Sequence, residues 1–153
     1  MKLDIGGEET LAAPIAEVWR LINDPAVLTR CIPGCKSMTQ TAPDTYAVDM
    51  QLKVASVSGS FAGAVALADK AEPTRCRLTL SGGGTLGHAK GEASLELSAL
   101  DAASTKLIYK GEGEIGGLVA GVGQRILKGV AKHLVGQFFT QFRKVTAETT
   151  ASD

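Results

Sequence analysis

Residues 104–142 read STKLIYKGEGEIGGLVAGVGQRILKGVAKHLVGQFFTQF, and the spacing of their apolar residues decides the fold. At first, Leu107 and Tyr109 alternate with polar residues, which is the period of two of a half-buried strand. The apolar residues then recur every three or four positions, in one row at 118, 122, 126, 130, 134, 138 and 142 and in a second at 119, 127, 131, 135 and 139. This change predicts a strand followed by a helix of about 28 residues, which spans roughly 42 Å and crosses a whole sheet.

The residues before this stretch predict two short helices and a run of strands. Apolar residues at 15, 18, 19 and 22 follow Pro14 with helical spacing, and Asp24 is placed to cap a second helix from residue 25 to about residue 30. From about residue 36 the period changes to two, as in Tyr46, Val48 and the residues that follow them. Turn signals separate the runs, including the triplet Gly82-Gly83-Gly84, which predicts a hairpin turn or a flexible lip of a cavity.

Together these patterns predict an α+β fold. A curved antiparallel sheet of about seven strands wraps around the long C-terminal helix, and the two short helices follow the first strand. We expect one domain over residues 1–148 and a frayed tail over residues 149–153.

Composition and charge narrow the class of protein. The chain has 153 residues, with 16 Lys and Arg against 16 Asp and Glu, so its formal net charge is zero. A nucleic-acid-binding protein is normally clearly basic, so this balance argues against nucleic acid as a partner. No secretory signal is visible at the N-terminus, and the three cysteines are an odd number, which favours a reduced cytoplasmic protein.

Glycines on the inner face predict a ligand cavity between sheet and helix. Gly111 and Gly113 continue the inward face of Leu107 and Tyr109, and further glycines at 121, 129 and 136 interrupt the helix. Either the helix approaches the sheet closely at these positions, or they leave volume for a hydrophobic ligand. The predicted lining, which would equally form a plain core, is Met50, Leu52, Leu107, Tyr109, Gly111, Gly113, Leu118, Val122, Ile126 and Val130.

The helix also carries a basic stripe. No Asp or Glu occurs between Gly116 and Ala147, while Arg125, Lys128 and Lys132 lie on one side of the predicted helix. Such a stripe attracts anionic lipid, and three charges predict reversible attachment. An acidic protein partner or plain solvent remain alternatives for the same surface.

Several other site types are excluded by their spacing. Residues 111–116 fit G-x-G-x-x-G, but no second parallel strand and no acidic residue about 20 positions further on complete a dinucleotide site. Cys31, Cys35, Cys76 and the two histidines lack the paired C-x-x-C spacing of zinc sites, so we predict free thiols and no metal. We predict no catalytic residues and no cofactor, because no polar side chain is evident on the inner face.

The order of elements resembles the helix-grip fold of the START-like (SRPBCC) superfamily, and specific segments resemble the CoxG family of carbon monoxide dehydrogenase subunits over about residues 1–145. These segments are APIAEVW at 13–19, NDP at 23–25, CIPGC at 31–35, GSFAG at 59–63, GEA at 91–93, and the run from Tyr109 through GGLVAGVGQR to Phe138-Phe139.

The resemblance implies an accessory protein rather than a catalyst. It implies a cavity for a quinone or another lipid, and a role in the membrane association of a molybdenum hydroxylase of the carbon monoxide dehydrogenase type. We therefore expect a cytoplasmic protein that is peripheral at the inner face of the cytoplasmic membrane. A polyketide-cyclase-like enzyme or small-molecule carrier of the same fold, and a structural subunit with a filled core, are the alternatives.

Overall fold

A computed structural model gives the arrangement of residues 1–54 and 57–151. Seven strands, three α-helices and one short 3₁₀ helix follow one another in this part of the chain. Their order is β1 (Lys2–Leu11), α1 (Ile15–Ile22), α2 (Pro25–Cys31), β2 (Cys35–Ala42), β3 (Thr45–Val54), β4 (Val57–Ala71), β5 (Arg75–Gly84), β6 (Gly87–Asp101), β7 (Ser104–Gly116), the 3₁₀ helix (Leu118–Val122) and α3 (Gln124–Ala151).

The strands form a single antiparallel sheet in the order β1-β7-β6-β5-β4-β3-β2. β2 to β7 are a plain meander, and β1 adds to its far edge by pairing with β7, with Ile5 opposite Gly111. α3 lies over the inner face of this sheet and is closest to β1 and α2. The predicted α+β fold, with its antiparallel sheet, terminal helix and two short helices after the first strand, is confirmed.

Local chemistry explains the two short helices. α1 begins after Pro14, whose carbonyl oxygen accepts hydrogen bonds from the backbone nitrogens of Glu17 and Val18 at 3.0 Å. Asp24 caps α2 as predicted, because its Oδ1 accepts a hydrogen bond from the backbone nitrogen of Ala26 at 2.9 Å. Both helices turn their apolar faces toward the sheet and α3.

The long helix begins six residues later than the sequence predicts. Residues 118–122 form the 3₁₀ helix instead, and α3 starts at Gln124. The reason lies in Gly117 and Gly123, whose φ angles of 86° and 101° are outside the helical region and interrupt the backbone on both sides of the 3₁₀ helix. At its other end α3 includes residues 149–151, whereas residues 152–153 of the predicted tail lie outside the described part of the chain.

The predicted hairpin turn at Gly82-Gly83-Gly84 is also wrong. All three glycines belong to β5, where Gly82 pairs with Gly63 of β4 on one side and Ala89 of β6 on the other. The turn comes after them, at Thr85 and Leu86. Pairing with two neighbouring strands, which the sequence alone does not show, keeps this glycine run extended.

Buried apolar residues form two clusters of different size. The larger one lies under α1 and the C-terminal half of α3 and includes Trp19, Leu107, Phe139 and Phe142. The smaller one centres on Val119 and Leu127, with Leu3, Leu86, Ile115, Val122 and Val130 packed against it. None of the described helices is long and apolar enough to cross a bilayer.

Candidate functional site

An apolar cavity of about 430 Å³ lies between the inner face of the sheet and the N-terminal half of α3. It adjoins the smaller apolar cluster, since Leu3, Ile115, Val119 and Leu127 belong to both. The cavity is open to solvent, because Leu80 on its floor remains 44% exposed. Its volume falls in the range of about 300–1,000 Å³ that is usual for small-molecule pockets.

Glycine and alanine form much of the cavity floor. Inward positions on four neighbouring strands are occupied by Gly63, Gly82, Gly91, Ala93 and Gly111. Larger side chains stand around this floor, namely Ile5, Val48, Met50, Leu52, Phe61 and Val65. The volume therefore exists because these central inward positions carry almost no side chain.

The floor glycines are of two kinds. A β-carbon added at Gly91 would lie 2.7 Å from the carbonyl oxygen of Glu112, and one at Gly63 would overlap the carbonyl oxygen of Ser81. Close approach of the strands therefore requires glycine at these two positions. At Gly111 the nearest atoms would be 3.4 Å away, which is ordinary van der Waals contact. Glycine at 111 leaves open space that a larger residue would fill.

The roof of the cavity is the inward face of α3. Leu127, Val130, Ala131 and Leu134 have the spacing i, i+3, i+4 and i+7 and all border the cavity. The glycines of this region do not contribute, because a β-carbon added at Gly121, Gly129 or Gly136 would meet nothing within 4 Å, and all three face solvent. The interpretation that these glycines allow close packing or leave ligand volume is therefore wrong.

An aromatic stack ends the cavity on the side of the larger cluster. The rings of Tyr109 and Phe139 stack with centroids 5.4 Å apart, and Phe138 meets Phe139 edge to face at 5.1 Å. Burial raises the pKa of the Tyr109 hydroxyl, and the Glu9 carboxylate adds to this shift. Glu9 itself pairs with Arg143 on α3. This polar group lies beside the core and does not border the cavity.

The ten predicted lining residues separate into four groups. Met50, Leu52, Gly111, Gly113 and Val130 border the cavity, and their role in ligand binding stays a prediction. Val122 packs against the adjoining small cluster, whereas Leu107 and Tyr109 belong to the larger core. Leu118 and Ile126 were expected inside and lie outside, with 78% and 50% of their surface exposed. Leu118 belongs to the 3₁₀ helix, and Ile126 lies about 100° around α3 from the buried Leu127.

Sequence reasoning missed several wall residues. Leu127 and Ala131 belong to the second apolar row of the helix, so a signal for them was present. For Gly63, Gly82 and Gly91 no local pattern indicated a place in the cavity wall, because only the strand pairing brings them together on one face.

No titratable side chain is directed into the cavity among the described residues. Five titratable residues border it, but they alternate with inward residues such as Ala93 and Gly111, so the pleat directs their side chains to the outer face. These residues are His88, Lys90, Glu92, Glu112 and Glu114. On the outer face Glu92 pairs with Arg77 at 2.6 Å. The described part of the chain also contains no group of three His, Cys, Asp or Glu side chains able to hold a metal ion.

A second depression, of about 720 Å³, lies on the outer face of the sheet. Charged and small residues line it, including Asp4, Lys90, Glu112 and Glu114. Its charged walls make it unsuited to a hydrophobic ligand. The inner cavity is therefore the candidate site for such a molecule.

The basic stripe is only partly free. Lys128 Nζ lies 3.5 Å from Asp4 Oδ1 on β1. Arg125 and Lys132 are exposed, and neither pairs with a carboxylate among residues 1–54 and 57–151. The two ends of the stripe thus keep their charge available to an outside partner.

The three cysteines are free thiols, as predicted, with Cys31 and Cys76 buried and Cys35 half-buried. Burial raises the pKa of all three thiols. Raised pKa values disfavour the thiolate, which is the form that attacks electrophiles and binds metals.

Comparison with known proteins agrees with this fold. The family model for CoxG, a subunit of carbon monoxide dehydrogenase, matches residues 7–147. A conserved protein from Geobacillus kaustophilus is 35% identical, with a TM-score of 0.93 and coverage of 96% of this chain and 97% of that one. No curated protein matches the sequence.

More distant structures share the fold alone. A START superfamily protein from Mycobacterium smegmatis has a TM-score of 0.74 at 16% identity, covering 95% of this chain and 98% of that one. The Zhui aromatase/cyclase from Streptomyces sp. R1128 has a TM-score of 0.67 at 18% identity, covering 97% and 98%.

Proposed function

Because the chain belongs to the CoxG family of carbon monoxide dehydrogenase subunits, we propose that it is an accessory protein that binds a quinone or another lipid in the inner cavity. It aids the association of a molybdenum hydroxylase of the carbon monoxide dehydrogenase type with the cytoplasmic membrane. The protein itself has no catalytic role, and it acts from the cytoplasmic side as a peripheral protein.

The apolar cavity is the observation that carries this proposal. Its floor of glycine and alanine lies opposite the aliphatic row of Leu127, Val130 and Leu134. Removing an apolar molecule from water is favourable in proportion to the apolar area buried, and these walls offer no competing polar group. Open access past Leu80 gives such a molecule a path in and out.

The charge of α3 supports the membrane part of the proposal. Arg125 and Lys132 carry no carboxylate partner in the described structure, and each cation near an anionic surface contributes about 1 kcal/mol. Two or three such charges give reversible attachment. A protein that collects a lipid and carries it to an enzyme needs attachment of this kind.

An enzyme of the polyketide-cyclase type is the second candidate. The fold likeness to the Zhui aromatase/cyclase and an open cavity favour it. Acid–base catalysis needs a titratable group within hydrogen-bond reach of the substrate. Because the charged residues at the border point to the outer face, the cavity walls favour carriage over catalysis.

Native mass spectrometry tests ligand binding directly. We expect the protein, purified from a lysate that contains its own membranes, to retain about one lipid or quinone, and the emptied protein to take up added short-tailed ubiquinone or palmitate. Ala131→Phe places a ring in the cavity and should abolish uptake, whereas Ala147→Phe on the exposed face of the same helix should not. A wild-type protein that neither carries nor takes up any of these molecules overturns the proposal.

A further inference from the structure

Two exposed aliphatic side chains stand next to residues of the cavity wall. Ile126 is half exposed and lies one helical turn before Val130, which borders the cavity on the same side of α3. Leu118 is 78% exposed and directly precedes Val119, which also borders the cavity. We call Leu118, Arg125, Ile126 and Lys132 the rim patch.

The backbone holds Leu118 in its outward position. A 3₁₀ helix repeats every three residues, so Val119 and Val122 share its inner face and both pack against the small apolar cluster. Leu118 and Gly121 then share its outer face. The backbone nitrogen of Val119 donates a hydrogen bond to the carbonyl oxygen of Leu86 at 2.7 Å, which fixes this orientation. Leu118 is therefore presented to the outside by the fold.

Two unpaired cations lie on the same exposed part of the chain as these aliphatic side chains. Arg125 and Lys132 are exposed without a carboxylate partner in the described structure, and residues 117–147 contain no Asp or Glu. Exposed aliphatic groups together with unpaired cations match the boundary of an anionic bilayer, where acyl chains lie just beneath charged headgroups. A specific protein interface instead needs about 1,200 Å² of closely packed surface, and the rim patch has only two large apolar side chains.

We propose that the rim patch is the surface through which this protein sits on an anionic lipid bilayer. Leu118 and Ile126 enter the boundary between headgroups and acyl chains, while Arg125 and Lys132 lie among the lipid phosphates. Because Ile126 and Leu118 adjoin the wall residues Val130 and Val119, this contact brings the cavity wall close to the bilayer. This inference rests on the proposed function and assigns its membrane contact to particular residues.

Co-sedimentation with vesicles tests the assignment. Large vesicles of phosphatidylcholine with about 30% phosphatidylglycerol are compared with vesicles of phosphatidylcholine alone. We expect wild-type protein to bind the anionic vesicles, and Leu118→Ser and Ile126→Ser each to raise the lipid concentration for half-binding about tenfold. Leu100→Ser is the matched control, because Leu100 is 53% exposed near the opposite end of β6 and should leave binding unchanged.

Charge is tested separately from insertion. Arg125→Glu with Lys132→Glu should remove the preference for anionic vesicles, whereas Arg75→Glu with Lys53→Glu, which makes the same change in net charge at exposed positions elsewhere, should keep it. Insertion is read from the Leu118→Trp variant, whose indole fluorescence should be quenched by lipids with brominated chains. The Leu100→Trp indole should not be quenched.

The outcomes separate this inference from the ligand proposal. The assignment of the rim patch is overturned if wild type, Leu118→Ser and Ile126→Ser bind vesicles equally. It is also overturned if the wild-type protein does not bind anionic vesicles but still takes up ubiquinone. Binding that depends on Leu118, in a protein that takes up no ubiquinone or palmitate, supports the rim patch and overturns the cavity ligand. An equal loss in the Leu100→Ser control also overturns the assignment.

Discussion

Tyr109 of β7 stacks on Phe139 of α3 with the ring centroids 5.4 Å apart, and the next inward residue of the same strand is Gly111, which borders the cavity. The boundary between packed core and cavity therefore falls between two consecutive inward positions of one strand. On one side, aromatic rings from α3 fill the interior. On the other side, glycine leaves it open, so stability and ligand binding depend on different residues.

Two phenylalanines on either side of this boundary should differ in their contribution to stability. Phe139 is only 4% exposed and stacks on Tyr109, so Phe139→Ala leaves a cavity in the core and should lower the free energy of unfolding by about 3–5 kcal/mol. Phe61 stands at the wall of an open cavity, and Phe61→Ala should cost less than half as much. Urea unfolding followed by circular dichroism measures both. Equal losses would mean that the cavity wall is packed as tightly as the core.

The fold followed from the sequence because its signals are local. The period of two, the turn residues and the Asp24 cap each lie within a few residues of the element that they define. The helix face was wrong for a local reason as well. The backbone angles of Gly117 and Gly123 place Leu118 outside α3, and Ile126 lies about 100° around α3 from the buried Leu127.

Other parts of the site depend on contacts that are distant in sequence. Gly63 and Gly82 meet only because β4 pairs with β5, so the sequence did not place them together on the cavity floor. Lys128 looked free on the helix surface, but Asp4 from the opposite end of the chain pairs with it. Strand pairing and charge pairing across the fold are not encoded in local periodicity, so the sequence alone did not predict them.

Alanine substitution should distinguish the two kinds of floor glycine. Gly111→Ala places a methyl group at 3.4 Å from Ala93 Cβ and should change the free energy of unfolding by less than about 1 kcal/mol. Gly91→Ala places it 2.7 Å from the carbonyl oxygen of Glu112, which forces β6 and β7 apart and should cost about 1–3 kcal/mol. Thermal unfolding of the two variants beside wild type makes the comparison. A Gly91→Ala protein as stable as Gly111→Ala would show that the strands do not approach this closely.

Filling the open position should separate stability from binding. Gly111→Leu extends a side chain into the cavity, and we expect it to fold and to lose uptake of short-tailed ubiquinone. Gly129→Leu is the control, because a side chain there meets nothing within 4 Å on the solvent face of α3. A folded Gly111→Leu protein that still takes up ubiquinone would place the ligand elsewhere.

A buried hydroxyl joins β7 to the segment that leads into α1. Thr105 is fully buried, and its Oγ1 donates a hydrogen bond to the carbonyl oxygen of Ala13 at 2.8 Å. Thr105→Val keeps the shape but removes this donor from a buried carbonyl, which should lower the free energy of unfolding by about 1–3 kcal/mol. Thr10→Val, at an exposed position of β1, should leave it nearly unchanged. Denaturant titration of both proteins tests this, and equal stability of Thr105→Val and wild type would contradict it.

The buried thiols should make stability fall at alkaline pH. Burial raises the pKa of Cys31 and Cys76 in the folded protein, so the unfolded chain loses these protons first as the pH rises. Their contribution is fully present below the ordinary thiol pKa of about 8.5 and is lost as the pH rises through the higher folded values. Unfolding free energies at about pH 7 and pH 9.5 should therefore differ less in Cys76→Ala than in wild type.

In native protein at pH 8, Ellman's reagent should modify Cys35 first, and rapid modification of Cys31 or Cys76 would contradict their burial.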